Sequence, residues 1–491
     1  MIQRDNQITS VSSSPFRYSP RLRTALVLTG TGTAGAYHAG VLHAVQEAGV
    51  RIDIVAGRGI GIVSSMFAAI ADGQELWKPK GIWCSARAER LYRWRATLRV
   101  AAWTLGIAIF ALFLPLGVLI GAVFAYPLAM LLSFIGLDVG VLVASKYSIL
   151  VDYLFQPTAL PLYIPRFVTV AVFILLGVLV VSACGSALQA RLQRRSRGAF
   201  WWKLLGAPLD VSVAVECFTS GLWQIMHGAS NIAKPSASDL AERYSALLAD
   251  NVGQPGFREL LVLVHDIDSR RDLVCALLSE RYRRDFFLGR LGSEGEQRNL
   301  ETLDLSGAEG QHAMDALAAG LSLPIATEPH LVDFSPDSCW RGETHRLCDR
   351  PDSTARLLEE VANAGAEQVI LVSVLAESPG PHALGSSRRD ARGRLSEQLA
   401  TLETASIRDA VTARSGLFQA IFQIKPSHNP LGLFDFEGSY DESSDRQQSL
   451  AELVDRGYQD GLRQFVDSVV GASGEWIESS QSKENATNPD I

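Results

Sequence analysis

The chain has 491 residues and a formal net charge of −7, from 45 Lys and Arg against 52 Asp and Glu. This acidic balance weighs against nucleic acid as a partner, because a positive contact face is what such binding requires. Six cysteines at 84, 184, 217, 275, 339 and 348 have no C-x-x-C spacing, so neither a metal site nor a disulfide framework is expected, and a reducing cytoplasm suits them.

Residues 1–20 are polar, with Ser10, Ser12, Ser13, Ser14 and Pro15, lack the apolar core of a signal peptide and are expected to form a disordered tail. Ala25 to Leu28 is a strand-like apolar run that leads into a loop containing Gly30, Thr31, Gly32, Thr33 and Gly35, ahead of a helical stretch through Leu42. A Gly-rich turn between strand and helix leaves backbone N–H groups pointing outward, a natural seat for an anion or oxyanion. A dinucleotide reading is weakened because neither the G-x-G-x-x-G register nor an acidic residue roughly 20 positions on is cleanly met. Ile52 to Ala56 reads as a buried strand and Ile62 to Ala71 as a helix, and Gly57, Arg58, Gly59, Ile60 and Gly61 join them. This is the pattern of a nucleophile elbow, in which a serine sits on a strained strand-to-helix turn, except that Gly59 stands at the serine position. Glycine adopts positive φ at no steric cost and relaxes the strain that an active serine stores.

After the elbow helix, Val100 to Leu137 contains no charged residue, and Phe167 to Ala190 is a second uncharged run. At 1.5 Å per residue the first run makes roughly 57 Å of helix, nearly twice the thickness of a hydrocarbon core, so membrane insertion is expected. Arg87, Arg90, Arg93, Arg95 and Arg99 precede the runs, and Arg191, Arg194, Arg195, Arg197 and Lys203 follow them. Both flanks are then cytoplasmic and the number of crossings is even. Two spans are preferred, near 100–123 and 167–188, with the stretch between them as a short outer, re-entrant or interfacial region; three or four crossings remain alternatives. Trp94, Trp103, Trp201 and Trp202 sit where an interfacial aromatic belt would. Arg87 to Lys203 carries twelve Lys or Arg and three Asp or Glu, a net of +9 that leaves −16 for the remainder. Basic collars suit anionic headgroups, and the acidic remainder suits a soluble cytoplasmic body.

Further along, Phe257 to Asp268 contains a strand ending in aspartate, Ala313 to Pro329 a helix running into Leu321-Ser322-Leu323-Pro324-Ile325, and Cys348-Asp349-Arg350-Pro351 a turn with a carboxylate. A helix from Ser353 to Asn363, a strand from Gln368 to Val374, a flexible loop from Ser378 to Ser396, and an amphipathic helix through Tyr458 and Leu462 complete the pattern, with 479–491 as a second disordered tail.

Together these segments resemble the patatin-like phospholipase family, whose catalytic centre is a Gly-rich oxyanion loop, an elbow serine and a distant aspartate. The resemblance implies an α/β fold with three layers and a mostly parallel central sheet, here interrupted by a transmembrane helical insert. It divides the chain into a first part at 21–90, the insert at 91–204 and a second part at 205–478. It gives Asp349 the dyad position and Gly59 the empty serine position. Thr31 stands where glycine is usual, Ala34 where arginine is usual, and Arg350-Pro351 where the family has small residues that let the loop approach the elbow. The resemblance implies no cofactor or metal, and membrane lipids as partners at a bacterial inner membrane.

A dyad aspartate accepts the nucleophile's proton and does not attack in its place. A lipid-binding pseudoenzyme is therefore the preferred expectation, and an acyl hydrolase using Asp349 with a non-standard nucleophile is the alternative. Thr31 and Thr33 are nearer the elbow tip than Ser64 and Ser65, which lie more than a turn into the helix. His38 reads as a helix-face residue, since this family needs no histidine.

Overall fold

The computed structural model describes residues 18–136, 138–155, 166–178, 206–228, 232–288, 300–373, 391–426, 432–441 and 446–470, together with 180, 181, 184, 298 and 375. Its contacts divide the chain into two units, Met1–Arg93 with Asp210–Ile491, and Trp94–Leu209.

The first unit is built on a mixed, mostly parallel sheet. In chain order its strands are β1 (Thr24–Thr29), β2 (Ile54–Arg58), β3 (Glu259–Asp266), β4 (Arg271–Leu277), β5 (Thr302–Asp304), β6 (His330–Asp333), β7 (Thr344–Cys348), β8 (Gln368–Ser373) and β9 (Ala420–Ile424). Across the sheet the order is β9-β8-β1-β2-β3-β4-β5, and β7 joins the end of β3 and carries β6. The five strands from β9 to β3 run parallel, while β4 and β7 are antiparallel to β3. β1, β2 and β8 are buried at every position, which is why they are continuous apolar runs without polar alternation.

Successive residues of a strand face opposite sides. Ala25 and Val27 of β1 join Ile54, Leu261, Val369 and Leu371 in a core closed by Leu357, Leu358 and Val361 of the Thr354–Asn363 helix and Ile407 and Ala410 of the Ala391–Arg414 helix. On the other face lie helices α1 (Ala34–Glu47) and α2 (Ile60–Ala69). Backbone contact there requires glycine: a Cβ on Gly61 would fall 2.0 Å from the Leu28 carbonyl oxygen, and one on Gly57 would fall 2.3 Å from that of Gly61. The chain runs from β1 outward to β2 and β3, then returns to the far side of β1 as β8. Loops leaving the carboxyl ends of β1 and β2 therefore open at the topological switch point, the usual place for a site in such a sheet.

Several expectations need correction. The disordered tail was drawn through residue 20, but Tyr18 is buried, packs edge-to-face on Phe465 at 5.7 Å and exchanges hydrogen bonds with the Arg51 backbone. The flexible loop was drawn to Ser396, yet residues 391–396 begin the Ala391–Arg414 helix, and the buried Ser396 Oγ accepts from the Leu433 amide; positions 378–390 lie outside the described residues, as do 479–491.

In the second unit the Ala96–Phe134 helix is continuous over 39 residues. The helix runs past Val123, where the first span was expected to end, to Phe134. After Arg99 no charge interrupts the helix, and Gly136, at φ 81°, follows its end. The Val139–Phe155 segment, expected to be part of the connector, is a second helix laid against the first. A Cβ on Gly140 would fall 2.4 Å from the Ala129 carbonyl oxygen, Tyr147 donates to the Val118 carbonyl, and the Tyr126 and Ser148 hydroxyls meet at 3.2 Å. A third helix covers Arg166–Val178; the remainder of the expected 167–188 span, apart from 180, 181 and 184, and the basic cluster at 191–203 with Trp201 and Trp202 lie outside the described residues. Large apolar side chains point outward, with Trp103 74%, Phe124 72% and Phe134 90% exposed.

The contact of Gly61 with Leu28 leaves no room for even one methyl group. Gly61→Ala is expected to destabilise the first unit by about 3 kcal/mol or more, measured as a lowered denaturation midpoint; a midpoint equal to wild type would contradict this packing.

Candidate functional site

The elbow is present in its geometry. β2 ends at Arg58, Gly59 takes φ 57° and ψ −134° as the N-cap of α2, and α2 begins at Ile60. This torsion pair lies near a region that essentially only glycine populates without cost. A Cβ on Gly59 would fall 3.0 Å from Asp349 Oδ2 and 2.4 Å from the Gly30 carbonyl oxygen. The expected pair is therefore juxtaposed, and Arg350-Pro351 do not hold the loop away as expected. Asp349 is fixed by its amide bond to the Ser322 carbonyl at 2.9 Å, while the Arg350 side chain runs outward to Asp272 and Asp352, each at 2.8 Å.

The space above the elbow is filled by the chain itself. The Gly30 carbonyl, on the loop expected to present N–H donors, accepts from the Ile60 amide at 3.1 Å. The Thr33 amide donates to the Leu433 carbonyl at 3.0 Å and its hydroxyl to the Gly432 carbonyl at 3.2 Å. Close contact is again tolerated only by glycine: a Cβ on Gly32 would lie 2.0 Å from the Leu433 oxygen. Gly35 is turned to Trp83, whose ring would be 2.2 Å from an added Cβ. Gly30, Thr31, Arg58, Gly59 and Asp349 thus come together, whereas Thr33 and Gly35 serve packing on either side.

Arg58 is the decisive side chain. It is fully buried, with Nη1 donating to both Asp349 carboxylate oxygens at 3.3 and 3.2 Å. Nη2 forms an ion pair with Glu403 Oε1 at 3.0 Å without hydrogen-bond alignment, and Nε donates to Thr354 Oγ1 at 3.4 Å. Glu403 Oε1 also accepts from Thr31 Oγ1 at 2.5 Å. Burial opposes the charge on Arg58, but Glu403 and Asp349 outweigh it and hold the guanidinium protonated. One cation faces two carboxylates, and Asp349 responds: burial raises its pKa to about 6, Arg58 pulls it down, and Glu403 pushes it up again.

The other hydroxyls expected as substitutes are occupied or remote. Ser64 Oγ lies 3.3 Å from His38 Nδ1, and His38 Nε2 lies 3.0 Å from the Thr29 carbonyl. Burial, with a contribution from Arg58 against the hydrogen bond to Thr29, lowers the His38 pKa to about 4, so this histidine is a neutral strut within the buried helix α1. Glu403 was missed from the sequence because its helix carries no motif. Arg58 was noted only as an elbow position, although a lone Arg at the end of an apolar strand already implies buried carboxylates.

On the outer side of the Asp349 loop, the segment from Leu323 to Thr327 turns sharply. Ile325 has φ 70°, and the Ala326 amide donates to the Pro324 carbonyl at 2.8 Å, a strained three-residue turn. Thr327 Oγ1 braces it by accepting from the Leu323 amide at 2.7 Å. Ile325 is nevertheless 85% exposed. Among the described residues no group of three His, Cys, Asp or Glu side chains is placed to hold a metal ion.

No family model and no curated protein matches the sequence. Among solved structures the chain is similar to VipD from Legionella pneumophila, at 10% identity and a TM-score of 0.28, over 92% of this chain and 68% of that one.

Removing Arg58 would leave two carboxylates facing one another in the interior. Arg58→Met is expected to cost about 3–5 kcal/mol in denaturation experiments, and a cost below about 1 kcal/mol would show that the cluster is not a support. The raised pKa of Asp349 sets the sign of a pH effect. Between about 4 and 6 the folded state holds a proton that the unfolded state has released, so this group adds stability as pH falls and loses it as pH rises through 6. Asp349→Asn, fixed in the uncharged form, should match or exceed wild-type stability at pH 7.5, and the wild type should gain on it toward pH 5. A wild type that loses ground to the Asn variant on acidification would refute the assignment.

Proposed function

We propose that this chain is a membrane-anchored protein of the patatin-like type whose elbow has become a structural joint, making it a lipid-directed pseudoenzyme. The observation that carries this reading is what occupies the elbow: glycine at the nucleophile position, the Gly30 carbonyl 2.4 Å from where a side chain would start, and Asp349 bound by a buried arginine. Acyl transfer at such a centre needs a nucleophile, a base free to take its proton and N–H donors aimed at the developing oxyanion. Here the first is missing, the second is held by Arg58, and the Thr33 N–H is bonded to Leu433.

The three-layer organisation with a transmembrane insert belongs to the same proposal. Its support is the Ala96–Phe134 helix, which contains two consecutive windows, Ala96–Leu114 and Leu116–Phe134, each long and apolar enough to cross a bilayer and each almost entirely exposed, 11% and 6% buried. Arginines at 87, 90, 93, 95 and 99 would meet anionic headgroups on the cytoplasmic side. An even number of crossings keeps the acidic body in the cytoplasm at an inner membrane, and acyl lipids are its partners.

One observation favours the alternative of an acyl hydrolase with a non-standard nucleophile. Thr31 Oγ1 already directs its proton at Glu403, 2.5 Å away. Both groups are buried, however, and the same Glu403 oxygen is paired with Arg58.

The test is hydrolysis of a phospholipid and acylglycerol panel by full-length protein in lipid nanodiscs. Wild type, Asp349→Asn and Thr31→Val are all expected to release no product above the lipid-only control. Gly59→Ser should remain inactive, because the serine would collide with Gly30 and meet an aspartate already held by Arg58. Wild-type turnover abolished by Thr31→Val would replace the pseudoenzyme reading with the hydrolase. Resistance to alkaline carbonate extraction checks the anchor, and release into the supernatant would remove it.

A further inference from the structure

A second constellation lies on the outer side of the Asp349 loop, and Asp349, bound to Arg58, forms part of its lining. An open cleft of about 290 Å³ is walled by Ile267, Leu323, Pro324, Ile325, Pro329 and Pro351. At one side stands His265, at the carboxyl end of β3, where ligands of parallel sheets are met. Its Nδ1 lies 2.8 Å from Asp272 Oδ1, and Asp272 is itself held by Arg350 Nη1 at 2.8 Å. The carboxylate engages Nδ1 and leaves Nε2 as the ring's other polar atom. Among the described residues Nε2 has no hydrogen-bond partner.

We propose that this cleft binds a medium-length alkyl chain with a neutral hydroxyl head, the hydroxyl hydrogen-bonded to His265 Nε2 and the chain lying along the proline and isoleucine wall. Three observations choose this ligand. The volume corresponds to roughly ten waters, which a chain of about ten carbons fills. The hydroxyl and charged side chains of the lining are already engaged: Thr327 Oγ1 within its own turn, Arg350 with Asp272 and Asp352, and Asp349 with Arg58. The charges around Nε2 are also not positive in sum, since Arg350 faces two carboxylates and Arg58 two more, so an anionic head gains nothing there.

The Ile325 turn points the same way. A β-branched residue at positive φ is a genuine outlier, and this one is braced by Thr327 while its side chain is held 85% exposed at the rim of the cleft. Strain maintained in order to display an apolar side chain to the outside is a feature of ligand clamps. The ligand class rests on the lipid-directed reading above, but the site stands on its own contacts.

The experiment uses full-length protein in nanodiscs and a decan-1-ol analogue with a mid-chain diazirine. The matched hydrocarbon and the matched carboxylate, each with the same diazirine, are its controls, and the sites of photolabelling are mapped by mass spectrometry. The alcohol should label residues 265–267 and 321–329, with decan-1-ol competing, and should exceed both controls by about tenfold, the discrimination that one well-formed hydrogen bond allows. His265→Ala should bring the alcohol down to the hydrocarbon's level. Leu323→Trp should abolish labelling by filling the cleft. Ile325→Gly, at an exposed position that does not threaten folding, should reduce it severalfold. Equal labelling by alcohol and hydrocarbon, a carboxylate that labels better, or cleft labelling unchanged in Ile325→Gly would each overturn the proposal. Carbonate extraction and the hydrolysis panel read the anchor and the elbow separately, so a failure here is distinguishable from a failure of the pseudoenzyme reading.

Discussion

A guanidinium with no access to water has to find its counter-charge inside the protein, and Arg58 imposes that requirement on the centre of the first unit. It draws Asp349 from the turn after β7 and Glu403 from the Ala391–Arg414 helix to the carboxyl end of β2. Three segments far apart in sequence are thereby fixed relative to the elbow. Removing one carboxylate would leave an intact pair, whereas removing the cation leaves none. The cluster has one more negative than positive group, and the excess is borne by the carboxylate with the elevated pKa. Asp349 is in this way a member of an ionic support.

The geometry of the strand-to-helix turn depends on other residues than this cluster. Gly57 and Gly61 allow β2, β1 and α2 to approach at distances no side chain permits, and Gly59 supplies the turn between them. None of these contacts involves a nucleophile. The backbone holds these torsions while the Gly30 carbonyl accepts from the Ile60 amide and the Leu433 carbonyl from the Thr33 amide.

Much of this architecture was legible in the sequence wherever local rules applied. Runs such as Thr24–Thr29 and Gln368–Ser373 announced buried parallel strands, and the glycines at 57, 59 and 61 announced a tight strand-to-helix turn. Boundaries shifted by a residue or two, as at Ile54–Arg58, because the strand continues through Gly57 and Arg58 into what looked like the turn itself. What could not be read were the partners supplied by distant segments. Glu403 sits in a helix where it is one charged residue among many, with no motif to mark it as buried, and Leu433 acts through a carbonyl that every residue possesses. His265 and Asp272 face each other because β3 and β4 pair in antiparallel register, a relation with no mark in either stretch alone. The helical hairpin beginning at Ala96 was misjudged because Lys146 and Asp152 lowered the apolar signal of a helix that nevertheless packs through Gly140 and Tyr147.

The order in which the sheet's strands occur along the chain carries a consequence for biosynthesis. β1 and β2 are complete within the first 58 residues, yet Ile54 of β2 pairs with Glu259, and Thr24 of β1 pairs with Gln368. Between them the ribosome must deliver the whole Trp94–Leu209 unit. Two hydrophobic strands with open edges therefore wait while the most apolar part of the protein emerges, and their partners come only afterwards. Pairings of such long sequence separation form slowly, and unpaired edges invite wrong partners. The sheet of the first unit can therefore close around Arg58 only after the Trp94–Leu209 unit has been synthesised.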